Sequence, residues 1–238
     1  MRDPIRHDGF QDGGGALETT LHQQLKRCYA AEDGSTEVVF GRYRIDAVRD
    51  DELIEVQCAS LSAIRDKCRN LLRRHTLRVV KPVVLRTRIA KAKSVESPVT
   101  SRRLSPKRGS VLDVFDELIY FTRVFPHPNL VLEIPMIHVE QLRIPDKKKR
   151  RRRWRKDYKV GDVRLESIED TKELRVPSDL LDLLSLPTKN ADFNTADLAG
   201  WIDCPRWQAQ HIAYVLRKTG AIDSTGRNRA GIVYRRAA

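Results

Sequence analysis

Apolar residues recur at helical spacing from Leu17 through Leu21 and Leu25 to Cys28, with Glu18, His22 and Lys26 on a neighbouring face. That period predicts an amphipathic helix over residues 16–31, ending before the Asp33-Gly34 turn. Ahead of it, residues 1–15 are polar, close on Gly13-Gly14-Gly15 and read as a flexible leader. Three short runs follow, 36–40, 43–48 and 53–58, rich in Val, Ile, Phe and Tyr. Gly41 separates the first two and Asp50-Asp51 the last two, which predicts strands, the second and third joined as an antiparallel hairpin. Leu61, Ile64, Cys68 and Leu71 then form the apolar stripe of a second helix, with Arg65, Lys67, Arg69 and Arg73 facing outward and His75 at its end. A β-branched run over 78–85 completes the order α-β-β-β-α-β.

The pattern loosens beyond that point. Residues 86–109 are basic, carry Ser and Pro, and read as a connection with little regular structure. A helix is expected over 111–124. A strand is expected over 130–139, where Pro135 favours an edge position or a bulge. Strand or hairpin material over 162–176 precedes a short capped helix at 178–184. In the last block Thr195 is placed to cap a helix over 196–202, and Cys204-Pro205 to open a second helix running to Gly220. A loop over 223–231 holds Arg227 and Arg229, and a short strand over 232–234 follows. Helix, turn, helix and basic hairpin is the order of a winged helix-turn-helix.

Composition sharpens the picture. Of 238 residues, 40% are apolar, enough for a buried core. Lys and Arg outnumber Asp and Glu by 45 to 32, a formal charge of +13 that points to a polyanionic partner. Residues 147–156 hold nine basic side chains and Trp154; removing those nine charges from +13 leaves +4, so most of the excess lies in one segment. No apolar run is long enough to span a membrane, and the N-terminus lacks the apolar core of a signal peptide. Cys28, Cys58, Cys68 and Cys204 form no C-x-x-C pair and are too sparse for a disulfide framework. A reduced, cytoplasmic protein is therefore expected.

The candidate chemistry lies in the hairpin. Asp46 falls on one strand, and Glu55 and Gln57 fall on the next, two residues apart and so on one sheet face. An acid inside Ile54-Glu55-Val56 would be costly to bury without a partner. Two carboxylates on adjacent strands suit a hard cation such as Mg²⁺. Glu18, on the preceding helix, could add a third. His22, one turn after Glu18, could face the same cleft.

This order of Glu18, Asp46 and Glu55-Val56-Gln57 resembles the PD-(D/E)XK nuclease superfamily, over roughly residues 16–85. The leading Glu is similar to that of archaeal Holliday junction resolvases. The resemblance implies a restriction-endonuclease-like mixed sheet flanked by helices. It makes Asp46 and Glu55 ligands of Mg²⁺ or Mn²⁺, Glu18 a third ligand directly or through water, and Gln57 the group that orients the attacking water. The family's usual Lys is replaced by Gln57, and a neutral amide cannot stabilise developing charge as an ammonium does.

The DNA-facing residues expected are Lys147, Lys148, Lys149, Arg150, Arg151, Arg152, Arg153, Trp154, Arg155 and Lys156 in the basic run. In the C-terminal block they are Arg206, Trp207 and Gln208 at the start of the recognition helix, and Arg227 and Arg229 in the wing. The sequence thus predicts an α/β (α+β) protein of two parts. Residues 16–177 form a nuclease-like domain with a basic loop at 145–157, and residues 178–238 form a winged-helix-like domain. The expected activity is metal-dependent hydrolysis of duplex or branched DNA in repair, recombination or defence, with DNA favoured over RNA and a homodimer suited to cutting both strands. The alternative is a nuclease-fold DNA-binding or regulatory protein without activity.

Overall fold

The computed structural model describes residues 19–30, 36–146, 157–184, 186–187 and 192–237. The leader, Leu17, Glu18, the Asp33-Gly34 turn and the basic run from Lys147 to Lys156 lie outside the described residues.

The α-β-β-β-α-β order holds. Helix α1 (Thr20–Tyr29) starts at Thr19, whose side chain accepts from His22 N. It leads to β1 (Thr36–Phe40), β2 (Tyr43–Arg49) and β3 (Glu52–Val56). The β2–β3 turn places Asp50 at a positive φ of 53°, a conformation that Asp tolerates better than most residues. A 3₁₀ turn (Leu61–Ile64) runs into α2 (Arg65–Leu71), and β4 (Thr76–Val80) then lies parallel to β3.

Downstream the chain is more regular than its sequence suggested. The expected strand over 78–85 is two strands, β4 and β5 (Val83–Lys91), and β6 (Ser101–Leu104) pairs with β5 inside the expected connection. Among the described residues, only Val114–Leu118 (α3) of the expected 111–124 helix is α-helical, after a 3₁₀ turn at Val111–Asp113. Strands β7 (Leu130–Pro145) and β8 (Tyr158–Leu174) are long antiparallel partners. Of the edge position or bulge that Pro135 implied, the edge is corrected, since β7 is an interior strand, while its register with β8 shifts one residue on, at Met136/Ile137. β4 pairs with its first part and β5 with its second at the same offset (Val80↔Glu133, Val83↔Met136), so both run end to end along one side. That register sets Lys81-Pro82 against Ile134-Pro135, and two residues without N–H groups meet where the ladder is interrupted.

The described strands form an eight-stranded mixed sheet in the order β1-β2-β3-β4-β7-β5-β6, with β8 on β7. Helices cover both faces. α2, α3 and the C-terminal helices share one buried cluster that includes Ile45, Leu53, Leu77, Val79, Leu132, Phe115 and Phe121. Leu21, Leu25 and Tyr29 of α1 pack on the other face against Ala47, Ile54, Val56, Val80 and Val139. Cys28 is exposed, so the stripe of α1 ends on Tyr29 instead.

The C-terminal block contains α4 (Asp179–Asp182), α5 (Thr195–Trp201), α6 (Arg206–Thr219) and a hairpin of β9 (Ile222–Asn228) and β10 (Gly231–Arg236). Asn194, not Thr195, caps α5, accepting from Ala196 N and Asp197 N in a reciprocal capping box. The expected loop over 223–231 is mostly strand, with Arg227 on β9 and Arg229 in the turn. Gly220 ends α6 at a φ of 84°, which a side chain would disfavour. Ala209, Ile212 and Leu216 of α6 join the same buried cluster as α3, and His211 Nδ1 lies 2.8 Å from Asp116 Oδ1. No helix among the described residues is long and apolar enough to cross a membrane.

Candidate functional site

The site forms where β2 and β3 part. Their backbone ladder stops at Ala47↔Ile54. Beyond it the Asp46 carboxylate replaces a backbone acceptor, and Oδ2 takes the N–H of Val56 at 2.8 Å. Helix α1 closes on the same group: Lys26 Nζ is 2.9 Å from Asp46 Oδ1 and His22 Nε2 is 3.4 Å from Oδ2. Lys26 also reaches Glu37 Oε1 at 3.1 Å, and Arg44 pairs with the other Glu37 oxygen. Burial by itself would push the Asp46 carboxyl up, but hydrogen bonds from His22 and Lys26, the Lys26 charge and the Val56 N–H hold it below the usual carboxylate range.

Glu55 is buried on the opposite side of the sheet from α1, under α2, and Lys67 Nζ meets its Oε2 at 2.6 Å. Burial and then the Asp46 charge push its carboxyl up to about 6, with Lys67 opposing. The two acids are electrostatic neighbours whose environments separate their titrations: Asp46 stays ionised, and Glu55 changes charge near neutrality. Gln57 follows the end of β3. Its N–H donates to Val80 O at 2.8 Å, and its Oε1 accepts from Ala59 N at 3.2 Å.

Three lysines complete this region, and the hydrophobic pattern marks none of them. Lys67, expected to face outward, instead folds over β3 to Glu55. Lys26, expected on the helix face it shares with His22, is buried at 7% exposure; its spacing of four from His22 is the one sequence signal for it. Lys81 follows from the β3–β4 register. The two strands end their pairing at Val56↔Val80, so the next residues, Gln57 and Lys81, stand side by side on adjacent parallel strands. Lys81 Nζ donates to Ala59 O, on the loop that Gln57 also holds, and lies 3.8 Å from Glu117 Oε1. Burial lowers its ammonium below the ordinary lysine value, against the pull of Glu117. A lone Lys in a β-branched run is its visible sign in the sequence.

A hard cation suits the oxygen donors of Asp46 and Glu55, and the lysine ammonium on each shows that both carboxylates draw positive charge. Among the described residues no group of three or more His, Cys, Asp or Glu side chains is arranged to hold a metal ion. Glu18, the third expected ligand, lies outside the described residues.

The expected DNA-facing residues fall in two places. Asp146 N donates to Asp157 O, and Pro145 pairs with Tyr158, so residues 147–156 join the far ends of β7 and β8. In the C-terminal block Arg206 and Arg227 line one groove of about 360 Å³ between α6 and the β9–β10 hairpin, with Gln210, Tyr214 and Arg217. Arg206 is anchored there by a bond to Ala230 O at 3.1 Å. Trp207 lies elsewhere on α6, 54% exposed and edge-on to His211, beside α3. Gln208 is half-buried, and Arg229 is exposed at the hairpin tip.

Residues 19–175 match the family model described as a domain of unknown function, DUF8091. A protein of Treponema pallidum (strain Nichols), carrying the name "Uncharacterized protein", is 30% identical over 159 residues, 66% of this chain and 62% of the relative. The chain thus spans less than two thirds of that relative's length. No solved structure matches. The matched segment runs from the cap of α1 to the end of β8 and takes in Asp46, Glu55, Gln57 and the three lysines; the chain belongs to the DUF8091 family.

Proposed function

We propose that the protein is a metal-dependent DNA nuclease built on a restriction-endonuclease-like core, with α5, α6 and the β9–β10 hairpin serving as a winged helix that holds DNA. The observation that carries this reading is the acid pair at the parting of β2 and β3. Asp46 is held ionised while Glu55 titrates at about 6, in the α-β-β-β-α-β order that the resemblance requires. Separated titrations in adjacent carboxyls are a mark of functional sites.

Asp46, Glu55 and Glu18 would hold Mg²⁺ or Mn²⁺, which when bound supplies Lewis acidity toward a phosphate oxygen and a water of lowered pKa. The chain's own residues do the rest. Gln57 orients the water through its amide. The Lys67 ammonium, on Glu55, provides the positive charge that the family's usual Lys would bring and Gln57 cannot. Arg206, Arg217 and Arg227 of the α6 groove take phosphates, and the basic run 147–156 adds charge that raises affinity on any DNA.

A second reading has a specific observation behind it. Lys26 already neutralises Asp46 at 2.9 Å, an internal cation where a divalent ion would go. That arrangement suits a nuclease-fold protein that binds DNA without cutting it. A cleavage assay separates the two, on supercoiled plasmid, single-stranded and four-way-junction DNA with Mg²⁺, Mn²⁺ or EDTA. The nuclease reading expects metal-dependent cutting that falls at least about a hundredfold in Asp46→Ala, in line with removal of a main transition-state interaction. Tight, salt-sensitive binding with no cutting in either protein would establish the second reading instead.

A further inference from the structure

A cleft of about 460 Å³ opens on the sheet face beneath the loop 105–113. One end is Lys81, the strand neighbour of Gln57. The other end is Arg143 and Tyr158, on β7 and β8. We infer that this cleft binds one strand of DNA, which it leads from Lys81, beside Gln57, to Arg143 and Tyr158. The inference rests on the DNA-binding reading above and adds to it a path and a strand preference.

The lining suits a polynucleotide strand. Lys81, Lys107 and Arg143 are spread along it, and both lining carboxylates already have partners. Asp113 Oδ2 accepts from Ser110 N at 3.1 Å, and Glu117 Oε2 accepts from Leu61 N at 2.9 Å. Three cations against two carboxylates leave the lining net positive, with Glu117 Oε1 3.8 Å from Lys81 Nζ. Arg143 is held by Gln141, its Nε 2.8 Å from Oε1, with its guanidinium 4.1 Å over the Tyr158 ring. Such a stacked pair is a platform for a base, since every base has a π-face.

The rim is preformed. Gly109 N bonds Leu85 O at 3.0 Å, and a Cβ at Gly109 would come within 2.0 Å of Val84 O. Only glycine lets the loop lie this close to β5. The volume is that of a small-ligand site, too small for a duplex and suited to a nucleotide or two of a single strand.

The test uses the full chain, a fluorescent oligo(dT) strand and a blunt duplex of equal length, read by anisotropy across a salt series. Tyr158→Ala should weaken oligo(dT) binding about tenfold while Tyr158→Phe retains it. The Lys107→Gln/Arg143→Gln pair should lower the slope of log K against log salt by about 1.4, roughly 0.7 for each phosphate neutralised on a single strand. Duplex binding should stay within about twofold in all of them, because the duplex relies on other surfaces. An oligonucleotide carrying 5-iodouracil should crosslink to Tyr158 in the unaltered protein, a readout independent of how any variant folds. Unchanged oligo(dT) binding in the variants with no crosslink at Tyr158, while the unaltered protein still binds DNA, would overturn the cleft and leave the broader reading standing. Equal losses on strand and duplex would overturn the strand preference. Failure of the unaltered protein to bind either DNA would overturn both.

Discussion

Glu55 is the residue on which the site turns. A folded-state value near 6, above an ordinary Glu value of about 4.3, means the folded protein holds a proton that the unfolded chain has released. Stability is therefore greatest below the unfolded value and is lost as pH rises through about 6. The loss attributable to Glu55 is on the order of 2 kcal/mol, and urea unfolding at pH 4.5 and 7.5 should show it removed in Glu55→Gln. Asp46 acts oppositely: its carboxyl is lowered, so its contribution is present above about pH 4 and lost on acidification below that. The Lys67 ammonium opposes the rise in Glu55, so Lys67→Met should move the acidic limb of the pH–activity profile upward. An unmoved limb with lower activity would make Lys67 a packing residue only. Asp46, Glu55 and Gln57 were legible as a pattern of residue types. Lys67 was not, because its charge on an amphipathic helix looks the same whether it meets solvent or folds back along its methylenes onto a buried acid.

Among the elements, Arg78 ties four strands and a helix together. Its Nε lies 2.8 Å from Glu52 Oε2, and its Nη1 lies 2.6 Å from Glu173 Oε1 and also binds Glu133, which accepts from Tyr29 of α1. Burial, then the hydrogen bond to Glu133, drives the Tyr29 hydroxyl above its ordinary value. Cutting this hub leaves the buried Glu133 charge uncompensated. Arg78→Met should cost about 3–5 kcal/mol in chemical denaturation, and Arg78→Lys should recover only part, since an ammonium lacks the planar fork that serves three carboxylates. A cost under about 1 kcal/mol would show that the network is relaxed by water. The period-2 and period-3.6 patterns placed α1, β1, β2 and β3 within a few residues. They caught only the start of β5, Val83 to Leu85, and missed the rest of it and β6, whose Arg and Lys residues read as loop. Those strands are polar because Glu166 on β8 and Glu140 on β7 each reach across one intervening strand to Arg88 on β5 and Arg102 on β6, at 2.6 and 2.8 Å, and such charge pairs carry no hydrophobic period.

At the scale of the molecule, the charge is concentrated in the segment of chain between β7 and β8. Replacing the nine basic residues of 147–156 with Gly and Ser should flatten the salt dependence of duplex binding, by about 0.9 in log–log slope for each phosphate no longer neutralised. Affinity should converge with that of the unaltered chain at high salt. Parallel salt lines for the two proteins would show that the run does not touch DNA. The C-terminal block shares its buried cluster with the rest through α3 and α6, and His211 with Asp116 adds a polar link at that junction.

By itself the sequence determined the local elements with strong periodicity, the chain order of the core, the acids of the candidate site and the concentration of positive charge. These follow from residue spacing and type, which act over one or two turns of helix or one strand. Only the tertiary structure decided the rest: that β4 and β5 run end to end along β7, that Lys81 stands beside Gln57, that Lys26 and Lys67 neutralise the two acids from opposite faces, and that a cleft runs from Lys81 to Arg143 and Tyr158. Each of these brings together residues far apart in the chain. Strand register, burial and the pairing of charges set such juxtapositions together, and no local window of sequence contains them.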